Sequence, residues 1–185
     1  MSTVPNSISA DQLFAMPDDG NRYELVHGKL RMMSPAGGEH GWIAMRIASR
    51  LDEQVEELGL GIVFAAETGF RISTDPDTVR APDVAFVRQD RIESIDDLKK
   101  FVPLAPDLVA EVVPPNDTSS EVEAKVQMWI NAGTRMVLVV DPATACIRVY
   151  RDTAKIAVFH EGDTVDASDV VDGWTLSVSD VFPKR

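Results

Sequence analysis

Two acidic residues stand inside apolar segments, where an ionised side chain is costly to bury. Asp83 lies in the run 81–87 and Glu111 in the run 107–113, and both runs have the composition of buried strands. A carboxylate in such a setting is normally paired, hydrogen-bonded or bound to a metal. Mg²⁺ takes one or two carboxylates together with water and substrate phosphate, so the two positions predict a magnesium site. The alternative for each residue is a strand-end ion pair with an arginine.

A lysine on a predicted helix is the third residue of interest. The helix covers residues 119–132, and Lys125 lies at the margin of its apolar face. That packed face is formed by Val122, Val126, Trp129 and Ile130. Lys125 can therefore bury its methylene stem against the sheet and direct its ammonium group toward the strand ends. The alternative is a surface lysine that extends into solvent.

Two further polar residues occupy positions that favour a role at the same site. Glu24 lies in the predicted strand 22–26, and His40 falls on the apolar stripe of a long helix, at its first turn. A helix N-terminus favours anions, although an inward histidine can also be a hydrogen-bonded core residue. Zinc is not expected, because no paired-histidine spacing exists and Cys146 is the only cysteine.

Hydrophobic periodicity and turn residues predict the elements that position these side chains. Strands are predicted at 22–26, 29–33, 62–66, 69–72, 81–87, 107–113, 136–140, 147–150 and 156–159. Helices are predicted just after Ser9, at 39–58 and at 119–132. This order of elements is that of a mixed α/β protein with one sheet.

Composition restricts the class of protein. The chain has 185 residues, 44% of them hydrophobic and 26% charged, which is typical of a globular protein of one domain. No apolar run approaches the roughly 18 residues that span a bilayer, so no membrane association is expected. The N-terminal residues lack the basic and apolar regions of a secretory signal. Together with the single cysteine, these features predict a cytoplasmic protein.

The charge distribution indicates where a polyanion could bind. A net charge of −12 argues against a protein that coats nucleic acid by bulk electrostatics. Residues 22–50 nevertheless carry a local excess of three positive charges, from Arg22, Lys29, Arg31, Arg46 and Arg50 against Glu24 and Glu39. This stretch is therefore the candidate surface for a polyanion.

A succession of motifs along the chain resembles the Uma2 family. The motifs are Arg22-Tyr23-Glu24-Leu25-Val26-His27-Gly28, Met33-Ser34-Pro35-Ala36, His40, Ala81-Pro82-Asp83-Val84, Ala105-Pro106-Asp107-Leu108-Val109-Ala110-Glu111-Val112 and Val139-Val140-Asp141-Pro142. The family is also described as DUF820 and as "putative restriction endonucleases", within the PD-(D/E)XK nuclease superfamily. The resemblance implies one domain over residues 1–185, with a core at about 22–141. It implies a restriction-endonuclease-like α/β fold, in which helices flank a central mixed β-sheet and β-hairpins are added.

The resemblance also implies roles for the candidate residues. The superfamily pattern is a Pro-Asp on one strand and a Glu-x-Lys on the next, and Asp83 and Glu111 match its acidic positions. Val113 occupies the lysine position, and the lysine of Uma2-like sequences lies on the following helix, where Lys125 stands. The resemblance implies a Mg²⁺ ion, replaceable by Mn²⁺, held by Asp83, Glu111 and the Val112 carbonyl.

The remaining expectations concern the other catalytic residues and the partners. Lys125 would orient water or neutralise charge on the phosphoryl oxygens, Glu24 would assist through a second metal or a water, and His40 would contact phosphate. The expected partner is nucleic acid, in the first place DNA. Cutting both strands of a duplex favours a homodimer. One alternative is a catalytically degenerate interaction or regulatory domain with the nuclease fold, and another is a hydrolase of smaller phosphoesters.

Overall fold

A six-stranded sheet is the centre of the structure, a computed structural model that describes residues 7–115 and 117–183. Within these residues the strands are β1 (Arg22–Val26), β2 (Lys29–Met33), β3 (Gly61–Ala65), β4 (Phe70–Ser73), β5 (Thr78–Arg80), β6 (Val84–Arg88), β7 (Leu108–Val112), β8 (Met136–Asp141), β9 (Cys146–Tyr150), β10 (Ile156–Phe159), β11 (Thr164–Asp166) and β12 (Thr175–Ser177). The α-helices are α1 (Ala10–Phe14), α2 (Gly38–Leu58), α3 (Gln89–Ile92) and α4 (Ser119–Asn131).

The central sheet is mixed, as the sequence predicts. Its strand order is β10-β9-β8-β7-β6-β3, and only the β7–β8 pair is parallel. Helix α4 makes the crossover between these two parallel strands, which need a long connection. Alternate residues of each strand face opposite sides of the sheet, so Val84 and Phe86 pack with α2 while Ala85 and Val87 pack with α4.

Helix α2 covers the first face of the sheet, and its predicted span of 39–58 is confirmed within one residue. The helix stops because Gly59 adopts a left-handed conformation with φ of 63°. Its buried stripe follows helical spacing and consists of Ile43, Ala44, Ile47, Leu51 and Val55. Packing of this stripe fixes the orientation of the helix, and therefore places His40 in its first turn at the end of the sheet.

Helix α4 covers the opposite face and carries Lys125. The side chain of Thr118 accepts a hydrogen bond from the Glu121 N–H while Glu121 bonds back to the Thr118 N–H, which forms a capping box. Val122, Val126 and Trp129 are buried against the sheet, and Trp129 is fully inaccessible. The helix is therefore fixed at its N-terminus and along its packed face.

The prediction of one sheet is wrong. Strand β5 joins the β1–β2 hairpin to β4 in a separate four-stranded sheet of order β2-β1-β5-β4, and β11 and β12 pair with each other. The sequence does not indicate β5, because its three residues Thr78–Arg80 are too few for a periodic pattern and one of its two partners, β1, lies far away in the chain. Leu25 of β1 and Val79 of β5 are buried in a small core beneath this sheet.

A strand boundary at the site also differs from the prediction. Strand β6 begins at Val84, so Asp83 precedes the strand rather than lying within it. The cause is local: Pro82 cannot donate a ladder hydrogen bond, and the Ala81 N–H is bonded to a side chain instead of to a neighbouring strand.

No helix among residues 7–115 and 117–183 has the length and apolarity required to cross a membrane.

The packing of α2 predicts a large difference between two leucines on the same helix. Leu51 is fully buried whereas Leu58 is 55% exposed. We expect Leu51→Ala to lower the free energy of unfolding by about 2–5 kcal/mol, because it leaves a cavity between α2 and the sheet. Leu58→Ala should change it by less than about 0.5 kcal/mol. Urea denaturation of both variants measures this difference, and equal effects would contradict the packing described.

Candidate active site

Asp83 and Glu111 lie opposite each other on neighbouring chain segments. Strands β6 and β7 pair with Val84 across from Ala110, and one further step of this register brings Asp83 across from Glu111. Asp83 is anchored because its Oδ2 accepts a hydrogen bond from the Val112 N–H at 2.8 Å. The two carboxylates are therefore held together at one end of the antiparallel pair.

The Glu111 carboxyl group is enclosed although part of the residue reaches the surface. Its Oε1 accepts a hydrogen bond from the Trp129 indole N–H at 2.8 Å. The pKa of Glu111 is raised to about 7, mainly by burial and secondly by the charge of Asp83, while Lys125 and the Trp129 hydrogen bond act in the opposite direction. Protonation of Glu111 thus relieves the repulsion between the two carboxylates.

His40 faces the same carboxylate pair from α2. Its Nε2 lies 3.2 Å from Asp83 Oδ2, and both side chains are less than one fifth exposed. The hydrogen bond to Asp83 raises the pKa of His40, against the opposing effect of burial, and the Val112 carbonyl and the charge of Glu111 raise it too. The histidine ring is consequently directed at the oxygens of Asp83 and Val112.

Lys125 reaches the site from α4, where it contacts an aspartate that sequence reasoning missed. Its Nζ lies 3.1 Å from Asp117 Oδ2. Burial acts to lower the pKa of Lys125, but Glu111 and Asp117 outweigh burial and raise it above the ordinary value. A small pocket between β7 and α4 has Glu111, Lys125 and Asp117 as its charged lining. Asp117 follows the strand in a polar loop, and its role cannot be deduced from a local pattern.

Glu24 is buried behind this group and contacts a second residue that sequence reasoning missed. Its Oε2 lies 2.7 Å from Arg80 Nη1, and both side chains are less than one tenth exposed. Its Oε1 accepts a hydrogen bond from the Ala81 N–H at 3.0 Å. Arg80 precedes Pro82 by two residues, and its burial is seen only in the structure, so no pattern in the sequence signals its contact with Glu24.

The oxygen donors fit a divalent cation that binds few protein ligands. Within residues 7–115 and 117–183, no three His, Cys, Asp or Glu side chains are grouped closely enough to form a complete metal site. The group has instead two carboxylates, Asp83 and Glu111, and a nearby backbone carbonyl at Val112. This donor set suits Mg²⁺, which keeps several waters, and a cation there would offset the carboxylate repulsion that raises the Glu111 pKa.

Comparison with known proteins identifies the family. The sequence model of Uma2, described as "Putative restriction endonuclease", matches residues 10–179. The chain belongs to the Uma2 family. Solved structures that match include one described as a "putative nuclease belonging to DUF820" from Anabaena variabilis ATCC 29413. It is 22% identical, has a TM-score of 0.79, and the match covers 95% of this chain and 97% of that one.

The structural match confirms the nuclease-like fold that the sequence resemblance implies. At 22% identity it supports the fold of this Uma2 protein alone. No curated protein matches the chain. The roles of the site residues therefore depend on their own geometry and chemistry.

The raised pKa of Glu111 predicts a pH-dependent gain in stability for Glu111→Gln. The Glu111 carboxyl group keeps its proton up to about pH 7 in the folded protein, whereas it loses the proton near its ordinary pKa of 4.5 in the unfolded chain. The contribution of Glu111 to the stability of the wild type is therefore fully present below about pH 4.5 and is lost as the pH rises through 7. Glutamine keeps an acceptor for Trp129 and carries no charge. Without metal, the variant should be more stable by up to about 3 kcal/mol above pH 7.

Urea denaturation of both proteins in EDTA at pH 5 and pH 8 tests this prediction. The stability difference between variant and wild type should be large at pH 8 and small at pH 5. A constant difference at the two pH values would show that Glu111 is ionised throughout, and that its pKa is not raised.

Proposed function

We propose that this Uma2 protein hydrolyses phosphodiester bonds of nucleic acid with the help of a divalent cation, Mg²⁺ or Mn²⁺. The observation that supports the proposal is the carboxylate pair, in which Asp83 and Glu111 face each other and in which burial, together with the charge of Asp83, raises the pKa of Glu111 to about 7. An uncompensated pair of this kind is costly for a purely structural role. Cation binding supplies the compensation, and the descriptions of the family and of its solved relative support nuclease chemistry.

Asp83, Glu111 and the Val112 carbonyl would hold the cation. When bound, a divalent cation would polarise the scissile phosphate and lower the pKa of a coordinated water. The Val112 N–H keeps Asp83 in position by donating to its Oδ2. Trp129 does the same for Glu111 by donating to its Oε1. Both ligands therefore have a fixed orientation before substrate arrives, as an efficient site requires.

Lys125 and His40 are the cationic groups that face the substrate in this proposal. Lys125 lines the pocket with Glu111, and its raised pKa keeps the ammonium group protonated at neutral pH. It can therefore orient the attacking water or neutralise charge on a phosphoryl oxygen. His40 is held at the N-terminal turn of α2, where a protonated ring can donate a hydrogen bond to phosphate.

The structure changes which basic residues can guide a polyanion to the site. Arg46 donates to the Asp180 carbonyl, and Arg50 lies 3.7 Å from the Asp180 carboxylate. Arg31 instead lies directly across from Glu24 in the β1–β2 register, so the two side chains are on the same face of the four-stranded sheet. The hydrogen bonds with Thr118 lower the pKa of Glu121, at the first turn of α4. The charges of Lys125 and Arg31 both lower this pKa further, so both side chains lie near Glu121. We therefore assign phosphate guidance to Arg31.

The choice of DNA as substrate, the homodimer and the cytoplasmic location remain predictions from the sequence. Cutting both strands of a duplex favours two copies of the site in a two-fold arrangement. Light scattering with and without a DNA duplex measures whether two copies assemble. A wild-type protein that binds nucleic acid but does not cleave it would favour the alternative, an interaction or regulatory domain with the nuclease fold.

Replacing one carboxylate of the pair tests the cation site. We expect Asp83→Asn to lower Mn²⁺-dependent nuclease activity at least about 100-fold, because the variant loses a charged ligand. Mn²⁺ should raise the melting temperature of the wild type but not that of the variant. Plasmid cleavage and differential scanning calorimetry measure the two effects. Asp52→Asn is the matched control, since Asp52 is an exposed carboxylate on α2. Equal responses to Mn²⁺ in the wild type and Asp83→Asn would contradict the proposal.

Substitution of Arg31 tests the substrate face. We expect Arg31→Gln to weaken binding of duplex DNA in Ca²⁺ and to reduce its salt dependence by about one phosphate contact. The Mn²⁺ affinity should stay the same, because Arg31 is not one of the proposed ligands. Arg46→Gln is the control, since Arg46 is bonded to the Asp180 carbonyl. Fluorescence anisotropy at several salt concentrations measures binding, and equal effects of the two substitutions would contradict the assignment.

A further inference from the structure

The buried ion pair of Glu24 and Arg80, which we call the Glu24–Arg80 pair, lies where the chain passes from the four-stranded sheet to the six-stranded sheet. Glu24 belongs to β1 and Arg80 ends β5, and both strands belong to the four-stranded sheet. The proposed cation ligands lie at the end of the other, six-stranded sheet. The segment between Arg80 and β6 crosses from one sheet to the other, and Asp83 is its last residue.

Glu24 contacts both residues of the dipeptide Arg80-Ala81, at the start of this crossing segment. Its Oε2 contacts the Arg80 guanidinium at 2.7 Å, and its Oε1 accepts the Ala81 N–H at 3.0 Å. Pro82 restricts the next backbone angle, so little freedom remains before Asp83. The position of the Asp83 carboxylate is therefore determined from one side by Val112 and from the other by Glu24.

The hydrogen bonding of the pair is incomplete. Arg80 Nε is buried and has no hydrogen-bond partner among the described residues. Glu24 Oε2 lies close to Arg80 Nη1, but no N–H among these residues points at it with hydrogen-bond geometry. Buried ion pairs stabilise a fold only when their remaining donors and acceptors are satisfied. Stability alone is thus a poor explanation for two charges at this position.

The charge of Arg80 also reaches the site. It lowers the pKa of Glu111 and the pKa of Lys125, as a minor contribution in each case. Arg80 is therefore close enough to both residues to influence the electrostatic field in which a cation and a phosphate would bind.

We propose that Glu24 and Arg80 are positioning residues, which hold the segment 80–82 so that Asp83 stands across from Glu111 in the geometry that binds a divalent cation. This inference rests on the proposed function and assigns to Glu24 a supporting role behind the ligands. Outer partners that orient metal ligands typically change metal affinity 10–100-fold when they are replaced.

A second buried pair in the same protein provides a matched control. Asp107 accepts from Arg91 at 2.9 Å and from the Arg88 N–H at 3.0 Å, so it also holds one guanidinium and one backbone amide. It lies at the opposite end of β7 from Glu111, roughly 13 Å away along the strand. Glu24→Gln and Asp107→Asn each remove one buried charge from an equivalent arrangement.

Calorimetric titration with Mn²⁺, together with thermal unfolding in EDTA, compares the two variants with the wild type. We expect both variants to lose thermal stability, and only Glu24→Gln to weaken the Mn²⁺ dissociation constant by at least about 10-fold. Asp107→Asn should bind Mn²⁺ within about 2-fold of the wild type. Equal Mn²⁺ affinities in the two variants would overturn the inference while leaving the proposed function intact.

The double variant Glu24→Gln/Arg80→Met separates position from charge. It removes both charges, so the net charge near the site matches that of the wild type. Persistently weak Mn²⁺ binding supports a positioning role, whereas recovery of wild-type affinity overturns it in favour of charge balance alone. A wild-type protein that binds no Mn²⁺ overturns the proposed function and the inference together. If Glu24→Gln does not fold, Arg80→Lys provides the same comparison, because it keeps the charge but alters the contacts.

Discussion

The repulsion between Asp83 and Glu111 is the constraint on which the rest of the site depends. The β6–β7 register brings the two carboxylates face to face, and burial of Glu111 prevents water from screening them. Every neighbouring polar group offsets part of this cost: a backbone N–H and the His40 ring contact Asp83, and an indole N–H contacts Glu111. The compensation remains incomplete, since the Glu111 pKa still lies near 7. In the proposed function, a divalent cation is the remaining partner of the pair.

The compensating groups come from all parts of the fold, which explains why two helices cover the sheet at this end. Helix α2 delivers His40 and α4 delivers Trp129 and Lys125, while the four-stranded sheet delivers Glu24 and Arg80. Each group is held by packing in its own element rather than by the site. A change in the packing of α2 or α4 is therefore expected to alter the site as well as the stability of the fold.

The sequence predicts the parts of the structure that depend on local patterns. The β1–β2 hairpin and the long helix α2 follow from turn residues, capping and periodicity within each segment. Asp83 and Glu111 stand out because they interrupt apolar runs. Arg80 could not be predicted, because its role arises from a contact between distant segments, and Asp117 and the short strand β5 carry no periodic pattern that would distinguish them from a loop. Glu24 contacts Arg80 across 56 residues, and no pattern in either segment indicates that contact.

The displaced lysine illustrates why contacts matter more than chain order at this site. Val113 occupies the position two residues after Glu111, where its side chain packs toward the core on the α4 side. It also lines the same small pocket as Lys125. An ammonium group can therefore enter this pocket from the helix, and the strand position becomes free for an apolar residue that packs against α4. The proposed function calls for a positive charge beside Glu111, and α4 supplies Lys125 there because packing of Val122 and Trp129 fixes that helix against the sheet.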